Sequence, residues 1–178
     1  IQKHLINNPG IKLASGDKEH INGEIFLYQG KEYKLEKILS FEPFVKINGD
    51  IIEVGLADIN DTLRTQYLLS RWYVLKAHKY LAERLRDMLN RYKELSFEPS
   101  GLTIRQLKSR WGSCSSKGKI TLNSELIKLD PVLIDYVIVH ELCHLKHHNH
   151  GYDFHKLLGE LIPEYKSLRK ELRKYLTR

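Results

Sequence analysis

Residues 131–150 read Pro131-Val132-Leu133-Ile134-Asp135-Tyr136-Val137-Ile138-Val139-His140-Glu141-Leu142-Cys143-His144-Leu145-Lys146-His147-His148-Asn149-His150. From Leu133 to Val139 the run is apolar on nearly every side, which predicts a helix enclosed in a core. Asp130 suits its N-cap and Pro131 its first position, and the pattern carries the helix to about His147. The helix ends in His-Glu-x-x-His. His140 and His144 lie four residues apart, so one helical face presents both imidazoles to a single ion. Glu141, one residue on, can reach a water on that ion. Two histidines and a glutamate on a buried helix are costly unless something polar engages them, and a metal with its water would do so.

A catalytic zinc usually has three protein ligands and one open position. His150 stands six residues after His144, the ligand spacing of metzincins, whose motif is HExxHxxGxxH. The metzincin glycine falls here on His147, and Gly151 is the residue expected to relieve the turn. His150 is therefore the expected third ligand, with His155 and Glu160 as rivals. His147 and His148 read as polar residues at a helix end, where an imidazolium suits the helix dipole.

The rest of the chain divides around this helix. Its 178 residues and 42% hydrophobic content fit one domain with a sizeable core and exclude a disordered chain. Two cysteines, Cys114 and Cys143, form neither a disulfide scaffold nor a four-cysteine zinc site, and read as small buried thiols. No apolar run reaches the roughly 18 residues of a membrane span. No basic-then-apolar signal opens the sequence, so a cytoplasmic protein is expected. Six of the nine histidines fall between His140 and His155.

Residues 1–58 form an N-terminal β-rich part, with a short helix and a loop expected over residues 1–22. The Asn48-Gly49 pair between Phe44-Val45-Lys46-Ile47 and Ile51-Ile52-Glu53-Val54 is a strong hairpin signal. About four antiparallel strands are expected here. Residues 59–95 read as a long helix capped by Asn60 or Asp61, with Leu63, Tyr67, Leu68, Trp72, Leu75, Ala82, Leu85 and Leu89 as its apolar stripe. That helix is basic. Its surplus reads as a solvated face, with a track for nucleic acid or nucleotide as the sharper alternative, in keeping with a formal charge of +7. Residues 100–178 carry the chemistry, with strands expected at Leu102–Leu107 and Lys119–Asn123 and two further helices near Tyr152 and after Pro163.

The elements Arg110-Trp111-Gly112-Ser113-Cys114-Ser115, Ile134-Asp135-Tyr136-Val137-Ile138-Val139-His140-Glu141-Leu142-Cys143-His144 and Asn149-His150-Gly151 together resemble the YgjP-like zinc metallopeptidases, relatives of the SprT-like and WLM metalloproteases. The resemblance covers most of residues 100–172 and is looser before them. It departs at Gly151 and at Phe154-His155, where the family usually has Ser and Phe-Trp.

The resemblance implies an α+β, zincin-like (minigluzincin) core. In it the HExxH helix packs on a small antiparallel sheet, preceded by a β-hairpin element and the long basic helix. It also implies one Zn2+ per chain on His140, His144 and His150, with Glu141 as general base. Arg110 and Tyr152 are candidate stabilisers of the oxyanion, and Arg105 a weaker one. An edge strand at Lys119–Asn123 would pair with an extended peptide, with Asn123 or the strand backbone touching it.

The reading that follows is a peptidase acting on peptides or proteins by a metal-activated water. Two alternatives stay open. One is a zinc hydrolase of nucleoside triphosphates or another phosphoanhydride, although no glycine-rich phosphate loop is present. The other is a role on nucleic acid, either as an associated protease of SprT-like type or as a nucleic-acid-binding module with a structural metal.

Overall fold

The computed structural model describes residues 18–175, so most of the helix and loop expected over residues 1–22 lies outside the described residues. The first sheet holds β1 (Ile25–Tyr28), β2 (Lys31–Leu39), β3 (Phe44–Asn48) and β4 (Ile51–Leu56) in the order β1-β2-β4-β3. Two hairpins are present, and Asn48 faces Ile51 across the expected turn. The sheet is mixed, not antiparallel throughout, because β2 and β4 run parallel from Lys34 opposite Ile51 to Leu39 opposite Leu56. The reason lies in β4. Its Ile52, Val54 and Leu56 are buried, and an almost unbroken apolar strand belongs in the interior of a sheet. Glu53, buried in the same strand, is met by Lys46 Nζ at 2.9 Å and by the Asn48 side-chain amide at 2.6 Å. These partners hold its carboxyl below the usual carboxylate range.

The long helix α1 (Thr62–Arg91) starts at Asp61, whose side chain accepts a hydrogen bond from the Arg64 backbone N–H at 2.8 Å. Its buried face differs from the expected stripe. Thr65, Leu69, Trp72, Tyr73, Ala77, Leu81, Leu85 and Met88 turn inward, while Leu63, Tyr67 and Leu75 are exposed. Apolar residues lie all round this helix. The small side chains Thr65 and Ala77 decide the face, because they allow close approach. Tyr73 donates its hydroxyl to the Leu27 carbonyl at 2.7 Å and Trp72 packs on Tyr28, which joins α1 to the first sheet.

The second sheet holds β5 (Gly101–Arg105), β6 (Gly112–Cys114) and β7 (Lys119–Asn123), in the order β5-β7-β6. It too is mixed: β5 runs parallel to β7 and β6 antiparallel to it. This corrects the expected edge strand. Lys119–Asn123 is central, and the edge beside the His-Glu-x-x-His segment is β6, a strand too short to show alternation. After a 3-10 turn (Ser124–Lys128) come α2 (Pro131–Cys143), α3 (Tyr152–Leu161) and α4 (Tyr165–Leu172). Among the described residues, no helix is long and apolar enough to cross a membrane.

Helix α2 is enclosed as expected. Leu133, Ile134, Tyr136, Val137, Ile138, Val139, Leu142 and Cys143 are all buried. Each large aliphatic side chain among them contributes about 1.5–3 kcal/mol by leaving water. Asp130 caps the helix by accepting from Val132 N–H at 2.8 Å. Two further ties hold it. The tip of the first hairpin, Gln29-Gly30, docks on the segment before it, with Gln29 N–H donating to Ile127 at 2.8 Å and Gly30 N–H to Lys128 at 3.1 Å. Gly30 has φ +76, and a Cβ there would lie 2.8 Å from Asp130 Cα, so only glycine fits. From the other side, Arg84 of α1 grips Asp135 with Nε at 2.9 Å and Nη2 at 2.6 Å.

The Arg84–Asp135 pair is two-pronged and half-buried, a geometry stronger than most surface ion pairs. A double-mutant cycle with Arg84→Met and Asp135→Asn, read by urea unfolding, is expected to give a coupling of about 1 kcal/mol. A coupling near zero would show that the pair does not tie α1 to α2.

Candidate metal centre

His140 occupies the last turn of α2, and His144 is its C-cap with backbone dihedrals still helical, so the two rings stay on one face. The chain then turns within 144–151 and brings back His150. One ring nitrogen from each of His140, His144 and His150 lies within 4.8 Å of the others, and His140 Nε2 is 3.0 Å from His150 Nε2. The cluster includes neither His155 nor Glu160. No residue of this return turn has a positive φ, and Gly151 sits at φ −76°. The turn therefore needs no glycine at His147, and Gly151 relieves no strain in it.

The protonation of the cluster follows from its surroundings. Burial, then the neighbouring His144 and His150, press His140 down to about 3, so it is a neutral imidazole. Burial and His144 lower His150 as well. His144 Nδ1 lies 3.1 Å from the His147 carbonyl. A carbonyl only accepts, so Nδ1 is the donor of that bond. Phe154, fully buried on α3, touches all three imidazoles, with ring centroids 4.9, 4.6 and 4.7 Å from those of His140, His144 and His150. This apolar floor was not singled out from the sequence. Its signal is the spacing of Phe154 four residues after His150.

Glu141 turns from the cluster's helix towards β6. It is 5% exposed, and its Oε2 is buried without a hydrogen-bond partner. Burial pushes its carboxyl up to about 8, opposed by the positive charge of Arg110. The space it occupies exists because residue 112 is glycine. A Cβ on Gly112 would stand 2.7 Å from Glu141 Oε1 and 2.8 Å from its Cγ. This gives the Arg110-Trp111-Gly112 element a physical meaning that the sequence alone left open.

The other expected site residues are placed as follows. Arg110 is exposed, with its charge bearing on Glu141. Tyr152 opens α3 and is 80% exposed. Arg105 ends β5 and is exposed. Asn123 is not placed to touch a substrate. It is buried, and its amide donates to the Leu107 and Arg110 carbonyls while its carbonyl accepts from Leu107 and Glu125 N–H groups, so the side chain is saturated. Its work is to hold the loop that carries Arg110. Both cysteines are free thiols, Cys143 buried and Cys114 half-buried. Burial pushes Cys143 up to about 12 and also raises Cys114, so neither is a thiolate at neutral pH.

Three imidazole nitrogens converging beside a buried carboxyl group with an unpartnered oxygen form a donor set that suits a hydrolytic metal ion. The model of the YgjP-like metallopeptidase domain matches residues 1–175. The chain belongs to the YgjP-like metallopeptidase family. It is accordingly a metal-dependent hydrolase. Two solved metallopeptidase zymogens resemble this YgjP-like chain. Jannalysin of Methanocaldococcus jannaschii is 26% identical, with a TM-score of 0.45 over 53% of this chain and 94% of that one. Abylysin of Pyrococcus abyssi is 24% identical, with a TM-score of 0.45 over 52% of this chain and 90% of that one. A search of curated proteins found no match.

Two substitutions test the YgjP-like centre. His150→Ala is expected to lose stoichiometric metal in elemental analysis, whereas His147→Ala keeps it, because residue 147 contributes only its backbone carbonyl. Equal metal content in the two variants would contradict the ligand set. Gly112→Ala is expected to retain metal but lose about 1–3 kcal/mol of stability, the usual cost of overpacking a core. Unchanged stability would show that Glu141 has room to move.

Proposed function

We propose that the chain is a zinc-dependent peptidase holding one Zn2+ on His140, His144 and His150, with Glu141 as general base for the hydrolysis of peptide bonds. The observation that carries this reading is the lone carboxyl group of Glu141, buried in the space left by Gly112 next to three converging histidines. When bound there, zinc would supply Lewis-acid polarisation of a carbonyl and a water of lowered pKa.

The chain's own residues account for the rest. A carboxylate that is poorly solvated and has no hydrogen-bond donor has a raised affinity for a proton, the property a general base needs. The Glu141 carboxylate takes a proton from the attacking water and returns it to the leaving amine. Arg110 modulates that carboxylate by its charge and is one candidate to stabilise the oxyanion; Tyr152, whose hydroxyl is open to an incoming ligand, is the other. The outer backbone edge of β6 is the place for an extended peptide to add as a further strand, since β6 borders both β7 and the Glu141 side chain.

The phosphoanhydride and nucleic-acid readings gain no support from these features. Arg84, from the basic run of α1, is committed to Asp135, and among the described residues no glycine-rich loop meets the cluster.

Zinc-loaded protein and its Glu141→Gln variant, incubated with a mixed peptide library and followed by mass spectrometry, test the proposal. The variant is expected to bind zinc as before and to lose about 10²–10⁴-fold in turnover. Glu141-dependent hydrolysis of nucleoside triphosphates without peptide cleavage would overturn it.

A further inference from the structure

Beyond His150, helices α3 and α4 leave a cleft of about 430 Å³ lined by His155, Tyr165, Lys166, Arg169, Lys170 and Arg173. Four cations line it and no carboxylate does. Among the described residues none of the four cations forms an ion pair; the ion pair nearest in sequence is between Lys174 and Glu171. The four recur at i, i+3, i+4 and i+7 and so crowd one face of α4, where like charges four apart repel. The helix dipole would favour Arg169 and Lys170 in the last turn and Arg173 at the C-cap but disfavours Lys166 in the first. All four are exposed, and all four line the same concavity.

This cleft shares a wall with the histidine cluster. The His155 ring lies 6.3 Å from that of His150 and stacks on Tyr165 at 5.8 Å. Those two steps equal the reach of roughly three or four residues of extended chain. The charge of Arg169 bears on both His140 and His150.

We propose that the cleft is a carboxylate subsite. An acidic side chain, or the free C-terminal carboxylate of the peptide, docks on Arg169 and Arg173 while the bond to be cut lies at the histidine cluster. Guanidinium groups suit the task because they grip a carboxylate with two parallel hydrogen bonds. This inference rests on the peptidase reading above and adds a substrate preference to it.

The test uses the zinc-loaded full chain and matched peptides. Glu is placed against Gln at each position within roughly four residues of the cleaved bond, and each peptide is made as free acid and as C-terminal amide. The acidic member of a pair is expected to show about tenfold higher kcat/KM, the worth of one good charged contact. Whichever arm shows the preference identifies the source of the carboxylate. Arg169→Gln/Arg173→Gln is expected to collapse the ratio, and Arg169→Glu/Arg173→Glu to shift it towards lysine peptides.

Cleavage of all peptides at equal efficiency would overturn the subsite and leave the peptidase reading intact. Absence of any cleavage would overturn the peptidase reading, and the subsite would then be judged by binding. Fluorescence anisotropy on the Glu141→Gln protein is expected to rank acidic peptides above neutral ones, with the difference lost in Arg169→Gln/Arg173→Gln. Equal binding of the two would overturn the inference. So would tighter binding of a random oligonucleotide that depends on the same arginines.

Discussion

The structure depends on keeping one carboxylate, Glu141, dry. A buried carboxylate without a hydrogen-bond donor opposes folding, and this one sits at 5% exposure with an oxygen unpartnered. The opposing forces are local. Helix α2 is apolar around its circumference, so withdrawing it from water stabilises the fold by several large side chains at once. Gly112 leaves the volume, Asp130 caps the helix start, and Arg84 fixes its outer side through Asp135. The polar end of the helix is thus held in place by its apolar body.

This arrangement also orders the cluster. Because α2 is immobilised, His140 and His144 are presented at fixed separation, and only His150 must be brought in by the return turn. Phe154 completes the setting from below, packing against all three rings. That apolar floor brings no hydrogen-bonding group of its own to the rings.

Much of this was legible in the sequence, for identifiable reasons. Helix α2 announced itself through Asp130-Pro131 and the unbroken run from Leu133 to Val139. The three histidines were legible because four- and six-residue spacings are local geometry. Long-range features were not. The parallel pairing of β2 with β4, and the central place of Lys119–Asn123, follow from how strands are ordered in space, which no local pattern encodes. The buried face of α1 was misjudged because Leu63, Tyr67 and Leu75 look like core while Thr65 and Ala77 do not; what decided it was the room available. The part played by Gly112 needs the position of Glu141, about thirty residues later, and the saturation of Asn123 needs the loop that folds over it.

The docking of the Gln29-Gly30 tip on the entry to α2 bears on the order of events during synthesis. That contact closes a loop of about a hundred residues, from Gly30 to Lys128. The hairpin can form as soon as it is made, but its tip has no partner until the segment before Asp130 has emerged. The seat of the metal helix is therefore completed only by chain made late, and His150 follows later still. A metal ion arriving early meets scattered histidines; one arriving after closure meets a finished cradle. Loading of the centre reports that the two ends of the fold have met.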